Sequence, residues 1–191
     1  MFHEIKEYVH INLSKLRLEH SLSTSLICVD LCSRFGLDEQ KGKLAGIAHD
    51  IFREVPLTET IIYSLNDGYP LCDEELKYPV LLHGRLGADL LKNTFGIEDE
   101  EILQAVRWHT SGHPDMGRLG QVLFIADYIE PGREHINAAF RDKISNLDLD
   151  NMTLVILNKQ IAYLRSCGFH ISKQTMLLHD KLSNKEKIIN T

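Results

Sequence analysis

Apolar residues recur at helical spacing along nearly the whole chain, and strand-like alternation is absent over any useful length. That periodicity predicts an all-α fold, because a stripe with a 3.6-residue period buries cleanly against other helices. Gly, Pro, Asp and Ser fall between the periodic runs rather than inside them. A first long helix is predicted from Ser14, its N-cap, to Phe35, with Gly36 closing it in a left-handed conformation. Its expected apolar stripe is Leu18, Leu22, Leu26 and Val29. The next helix starts after Asp38 and aligns Leu44, Ile47, Ala48 and Ile51, with His49 and Asp50 near its end. Others are predicted over Thr58–Leu65, from Pro79 to Gly96, and from Asp99 to about His109. The hydrophobic run LGQVLFIADYIE stops at Pro131 and Gly132, and two last helices follow the caps Asp148 and Ser172. The connection NDGYPLCD reads as an irregular loop shaping a pocket mouth.

At 191 residues, with 43% hydrophobic and 25% charged content, the chain suits one globular domain. Its formal net charge of -6 argues against a general nucleic-acid or membrane partner, since both are anionic. The amphipathic, acidic N-terminus is unlike a signal peptide, and no segment approaches the roughly 20 apolar residues that span a bilayer. Cys28, Cys32, Cys72 and Cys167 lack CxxC spacing and are expected as reduced thiols, the first two as core packing. A cytoplasmic location follows from these features.

Ten histidines are an excess for this length. Five features carry chemistry: His20 in RLEHSL, the pair His49-Asp50 in AGIAHDI, His83 in LLHGRLGA, His109 in VRWHTSG and Asp127 in FIADYIEPGR. Adjacent helical residues diverge by about 100°, so His49 and Asp50 can straddle one ion. Asp127 sits among Phe124, Ile125, Ala126 and Ile129, where an unpaired carboxylate would cost several kcal/mol. A divalent cation answers both problems, and imidazole with carboxylate suits iron, manganese, cobalt, nickel or zinc. A lone helical histidine is more often a core or surface residue than a ligand. His3, His10, His113, His135, His170 and His179 lack comparable company, although His113 and His170 are candidate pocket residues.

A separated His, then HD, then His, His and Asp resembles the HD-domain superfamily of metal-dependent phosphohydrolases. RLEHSL, LAGIAHDI, LLHGRLGADLL, FGIEDEEILQAVRWHTSG and above all IADYIEPGR are similar to its branch that hydrolyses diadenosine tetraphosphate symmetrically into two ADP. The resemblance implies a single helical HD domain over residues 1–182, followed by a polar tail over 183–191. It also implies one or two iron-type ions held by His20, His49, Asp50 and Asp127. His83 and His109 would complete the pocket, either as ligands of a second ion or as phosphate contacts, sharing the catalytic work with Asp50.

Arg133, just after the helix break, is the candidate bidentate clamp for phosphate, helped by Arg53; its structural alternative is a helix cap or an ion pair. Residues His170 to Thr175 open the last helix, so His170, Lys173 and Thr175 are candidate contacts for a terminal phosphate or ribose. Tyr128 could stack on a base, although aromatics at helical spacing more often pack a core. Departures from the branch are Arg53 for a usual Lys, His113 for Arg, and Lys173 for Pro. The expected partner is a dinucleoside polyphosphate or an ADP-like nucleotide, with a homodimer left open; the alternative readings are hydrolysis of another nucleotide phosphoester, or nucleotide sensing without turnover.

Overall fold

The computed structural model describes residues 2–134 and 136–189, with backbone alone over 186–189; His135 lies outside the described residues. Among the described residues there is no strand. The helices are α1 (Phe2–Asn12), α2 (Lys15–Phe35), α3 (Glu39–Ala48), α4 (Leu57–Ser64), α5 (Asp73–Lys77) and α6 (Leu82–Asn93). They continue as α7 (Glu100–Trp108), α8 (Arg118–Ile129), α9 (Ala138–Ser145), α10 (Leu149–Ser166) and α11 (Lys173–Ile189). A single 3-10 turn, Pro79–Leu81, leads into α6. The predicted caps Ser14, Asp38 and Asp148 each accept a backbone N–H of the first turn, Asp99 caps the helix expected to start at it, and Gly36 closes α2 at φ 65°. The short helices α1, α5 and α9 add to the predicted set, and α11 runs on past residue 182.

Of the stripe expected on α2, Leu18 packs half-buried against the core and Val29 is half-buried, but the other two leucines face outward. Leu22 and Leu26 are 38% and 67% exposed, while Ser21, Thr24, Ser25, Cys28 and Cys32 are buried. The reason is close approach rather than hydrophobic bulk. A Cβ added at Gly46 would lie 2.5 Å from Ser25 Cα, and one at Gly42 would lie 2.5 Å from Cys32 Sγ. Two glycines four apart on α3 therefore let α2 pack backbone to backbone, which side chains the size of leucine would prevent. At the centre lies α8, with Val122, Leu123, Ile125 and Ala126 all fully buried, as expected of a helix apolar on nearly every side. Around it pack α2, α3, α7 and α10.

Candidate metal centre

His20 comes from the middle of α2, His49 caps the C-terminus of α3, and Asp50 lies in the turn that follows. His83 is in the first turn of α6, His109 caps the C-terminus of α7, and Asp127 lies near the C-terminus of α8. Four of these positions, His49, Asp50, His109 and Asp127, are at or near helix C-termini, where the backbone carbonyls carry partial negative charge that favours a cation. His49, Asp50 and His109 thus stand just beyond regular helix instead of within it, which frees their side chains to turn inward.

Each imidazole is oriented by its Nδ1. The Nδ1 of His49, His83 and His109 donates to the carbonyl oxygen three residues earlier, in Gly46, Val80 and Val106, at 2.8, 2.5 and 2.7 Å. In His20 the Nδ1 faces Glu130 Oε1 at 3.1 Å. A carbonyl only accepts, so the proton resides on Nδ1 and the Nε2 lone pair points inward. The four Nε2 atoms then meet in pairs, His20 with His49 and His83 with His109, each at 3.1 Å.

Asp50 joins the two pairs. Its Oδ2 lies 3.4 Å from His49 Nε2 and 3.8 Å from His20 Nε2, while its Oδ1 lies 3.2 Å from His83 Nε2 and 3.8 Å from His109 Nε2. Asp127 Oδ1 adds to the first pair, 3.0 Å from His20 Nε2 and 3.8 Å from His49 Nε2. The donor atoms cluster closely enough to hold a metal in the sets His20-His49-Asp50, His49-His109-Asp127 and Asp50-His83-His109. Facing lone pairs repel unless a cation or proton lies between them, so the donor set fits a divalent metal.

The electrostatics agree. Asp50 is buried, which by itself raises its pKa, yet His49 and His83 hold its carboxyl well below the ordinary value. Asp127 is likewise depressed against its burial, by His20, His49 and Arg133. His49 is raised: burial opposes the charged ring, but Asp50 and Asp127 outweigh it. His109 is lowered to about 3 by burial and by the neighbouring His83 and His49, so it stays a neutral donor.

An open cavity of about 670 Å³ fronts this cluster, with Arg17, Arg53, Arg133, Thr110 and Tyr128 in its wall. Arg133 lines it while tied to Asp127, donating to the carboxylate and, from Nε, to the backbone carbonyl at 2.9 Å. Of the other candidates, His170 pairs with Glu74 at 3.2 Å, and Lys173 is exposed. Thr175 is buried and donates to the Ser111 carbonyl at 2.7 Å, so it ties α11 to the turn after His109. None of these three lines the cavity. His113 stacks on Trp108 at 4.1 Å, and burial lowers its pKa.

Three further residues, which the sequence pattern does not single out, join the site. Glu130 is buried and holds His20 Nδ1, with its other oxygen on the Gly132 N–H. Arg17 donates to Asp50 Oδ2 at 2.7 Å, and Thr110 Oγ1 lies 3.3 and 3.2 Å from His83 and His109 Nε2. For two of them a signal exists in the spacing: Arg17 precedes His20 by three positions on one helical face, and Glu130 follows Asp127 by three.

Fold and site together define an all-helical protein with a histidine–aspartate centre able to hold a divalent metal. Within that class the chain belongs to the HD-domain family, whose model matches residues 17–132. It is 31% identical to the symmetrical bis(5'-nucleosyl)-tetraphosphatase of Halalkalibacterium halodurans, over 95% of this chain and 96% of that one. It is also 31% identical to the Bacillus subtilis protein of the same name, over 89% and 91% of the two chains. A crystal structure of a predicted HD superfamily hydrolase involved in NAD metabolism, from Clostridium acetobutylicum, superposes with a TM-score of 0.91 at 33% identity. That likeness covers 97% of this chain and 98% of the other.

Proposed function

We propose that this protein is a metal-dependent hydrolase that splits diadenosine tetraphosphate, and related dinucleoside polyphosphates, symmetrically into two ADP. The observation that carries the reading is the pair of facing imidazole sets bridged by one carboxylate at the floor of an arginine-lined cavity. Such relatives as the Halalkalibacterium and Bacillus enzymes support the substrate. The catalytic unit is proposed to span residues 1–182, to work in the cytoplasm and to use iron. No helix of the described residues is long and apolar enough to cross a membrane.

His20, His49, Asp50 and Asp127 are proposed to hold one ion, and Asp50, His83 and His109 a second. An imidazole whose Nδ1 donates to a carbonyl can present its Nε2 lone pair to a cation, which supports the ligand role for His83 and His109 over the phosphate-contact role. A divalent ion held there supplies Lewis-acid polarisation of phosphoryl oxygens and acidifies water toward neutrality. Asp50 serves both subsites because its two oxygens face opposite pairs. Arg17 on Asp50 and Arg133 on Asp127 limit the negative charge of the donor set, so that a substrate with roughly four negative charges can approach. Arg53 and Arg133 line its path and offer planar forks to phosphate oxygens. One water adds across the central P–O–P bridge, the bond to the bridging oxygen breaks, and each half leaves as ADP.

Product analysis tests the reading. Chain loaded with iron or manganese and given diadenosine tetraphosphate is expected to yield ADP alone, and Asp50→Asn to yield none. AMP with ATP, or turnover that survives in Asp50→Asn, would contradict it.

A further inference from the structure

Arg85 is buried, yet it points away from the metal centre. Its Nε donates to Asp67 Oδ2 at 2.5 Å and its Nη2 to Asp67 Oδ1 at 3.1 Å, while Nη1 reaches both oxygens of Glu75 at 3.1 and 2.9 Å. The same guanidinium donates to the carbonyls of Ser64, Tyr69 and Pro70 at 3.3, 3.2 and 3.3 Å. Every partner lies in residues 64–75, the connection from α4 into α5. Tyr69 fastens that strap to α7 as well, with the Arg107 guanidinium 4.7 Å over its ring.

The strap runs through α5 into the 3-10 turn whose Val80 carbonyl accepts the Nδ1 proton of His83. Here His83 differs from its neighbours. Gly46 and Val106, which orient His49 and His109, sit inside α3 and α7, where the helix fixes their carbonyls. Val80 sits in the 3-10 turn that joins α5 to α6, so its carbonyl is placed in part by the segment that precedes it.

We propose that Arg85 is a positioning residue: by pinning residues 64–75 to α6 it fixes the Val80 carbonyl, which aims His83 Nε2 at Asp50 and His109 and so builds the second cation subsite. The inference rests on the two-ion reading above. Lysine cannot replace Arg85, because an ammonium has three donors where the planar fork makes seven hydrogen bonds.

Titration with manganese(II) alone tests it on the full chain, Arg85→Gln and Arg85→Lys, with hydrogen exchange of residues 64–80 and separate kcat and KM values alongside. Wild type is expected to bind two equivalents. Both variants should keep the first at wild-type affinity, lose about 10–100-fold on the second, and lose kcat with KM little changed. Faster exchange of the strap with an unaltered second equivalent overturns the proposal, as does equal loss of both equivalents in a folded variant. If the Arg85 variants fail to fold, Tyr69→Leu loosens the strap from the α7 side with Arg85 retained. It should give the same selective loss, and unchanged binding there overturns the proposal. A wild-type chain that binds a single equivalent overturns the proposal through its two-ion premise, and shows this before any variant is made.

Discussion

Glu130 shows how much of a metal centre is decided one atom beyond its ligands. Its Oε1 takes the Nδ1 side of His20, which fixes the ring's orientation and commits Nε2 to the cluster. Glu130→Ala is therefore expected to weaken manganese binding by about 10–100-fold while the helices persist, as read by titration and circular dichroism. Protonation gives a second expectation, for the metal-free chain. His109 titrates at about 3 in the folded state, against the ordinary 6.5, so the unfolded chain binds more protons between those values. Stability from His109 is present above about pH 6.5 and lost as pH falls toward 3; depressed Asp50 and Asp127 add to the loss below about 4. His49 is raised, so its contribution is complete below about 6.5 and does not vary in that window. Urea melts from pH 7 to 3 should show a steady fall in midpoint; a flat profile would contradict the charge assignments. The clustered donors were legible because a carboxylate set amid Phe124, Ile125 and Ala126 is too costly to bury without a cation or an ion pair. Glu130 was not, because a Glu before Pro-Gly reads equally well as a solvent-facing helix end.

At the scale of elements, glycine sets the distances between ligands. A Cβ at Gly84 would lie 2.8 Å from the Arg107 carbonyl oxygen and 3.3 Å from His109 Cε1, so α6 meets α7 closely enough for His83 and His109 to pair. Gly46 does the same for α3 against α2, and hence for His49 against His20. Gly84→Ala is expected to cost about 1–3 kcal/mol by overpacking and to weaken chiefly the second manganese equivalent. Gly46→Ala should cost a similar amount and weaken chiefly the first. Opposite assignments in the titration would refute the division of the site between the two helix pairs. Helix caps were readable because Ser14, Asp38, Asp99 and Asp148 act within their own first turns. The buried face of α2 was not readable from hydrophobicity. Ser25 and Cys28 face inward because Gly42 and Gly46 wait on the neighbouring helix, and that pairing is tertiary.

For the molecule as a whole, the proposed ligands come from the separate stretches α2, α3 with its turn, α6, α7 and α8, so one bound pair of ions would stitch most of the bundle together. Chelation should then lower Tm for the entire chain in a single transition, with about 2.7 kcal/mol restored at a free metal concentration of about 100 times Kd. Differential scanning calorimetry would read this, and a metal-independent Tm would show that the bundle needs no such stitch. His170, Lys173 and Thr175 teach the same lesson from the other side: a helix start rich in polar residues reads as an anion site. Here Thr175 instead ties α11 to the turn beside His109, and His170 ties the α10–α11 turn to Glu74. The central claim is that Asp50 divides the centre into two cation subsites. Anomalous diffraction from manganese-loaded crystals tests it most directly. Two peaks are expected, one among His20, His49, Asp50 and Asp127 and one among Asp50, His83 and His109; a single peak, or two that do not share Asp50, would contradict the account.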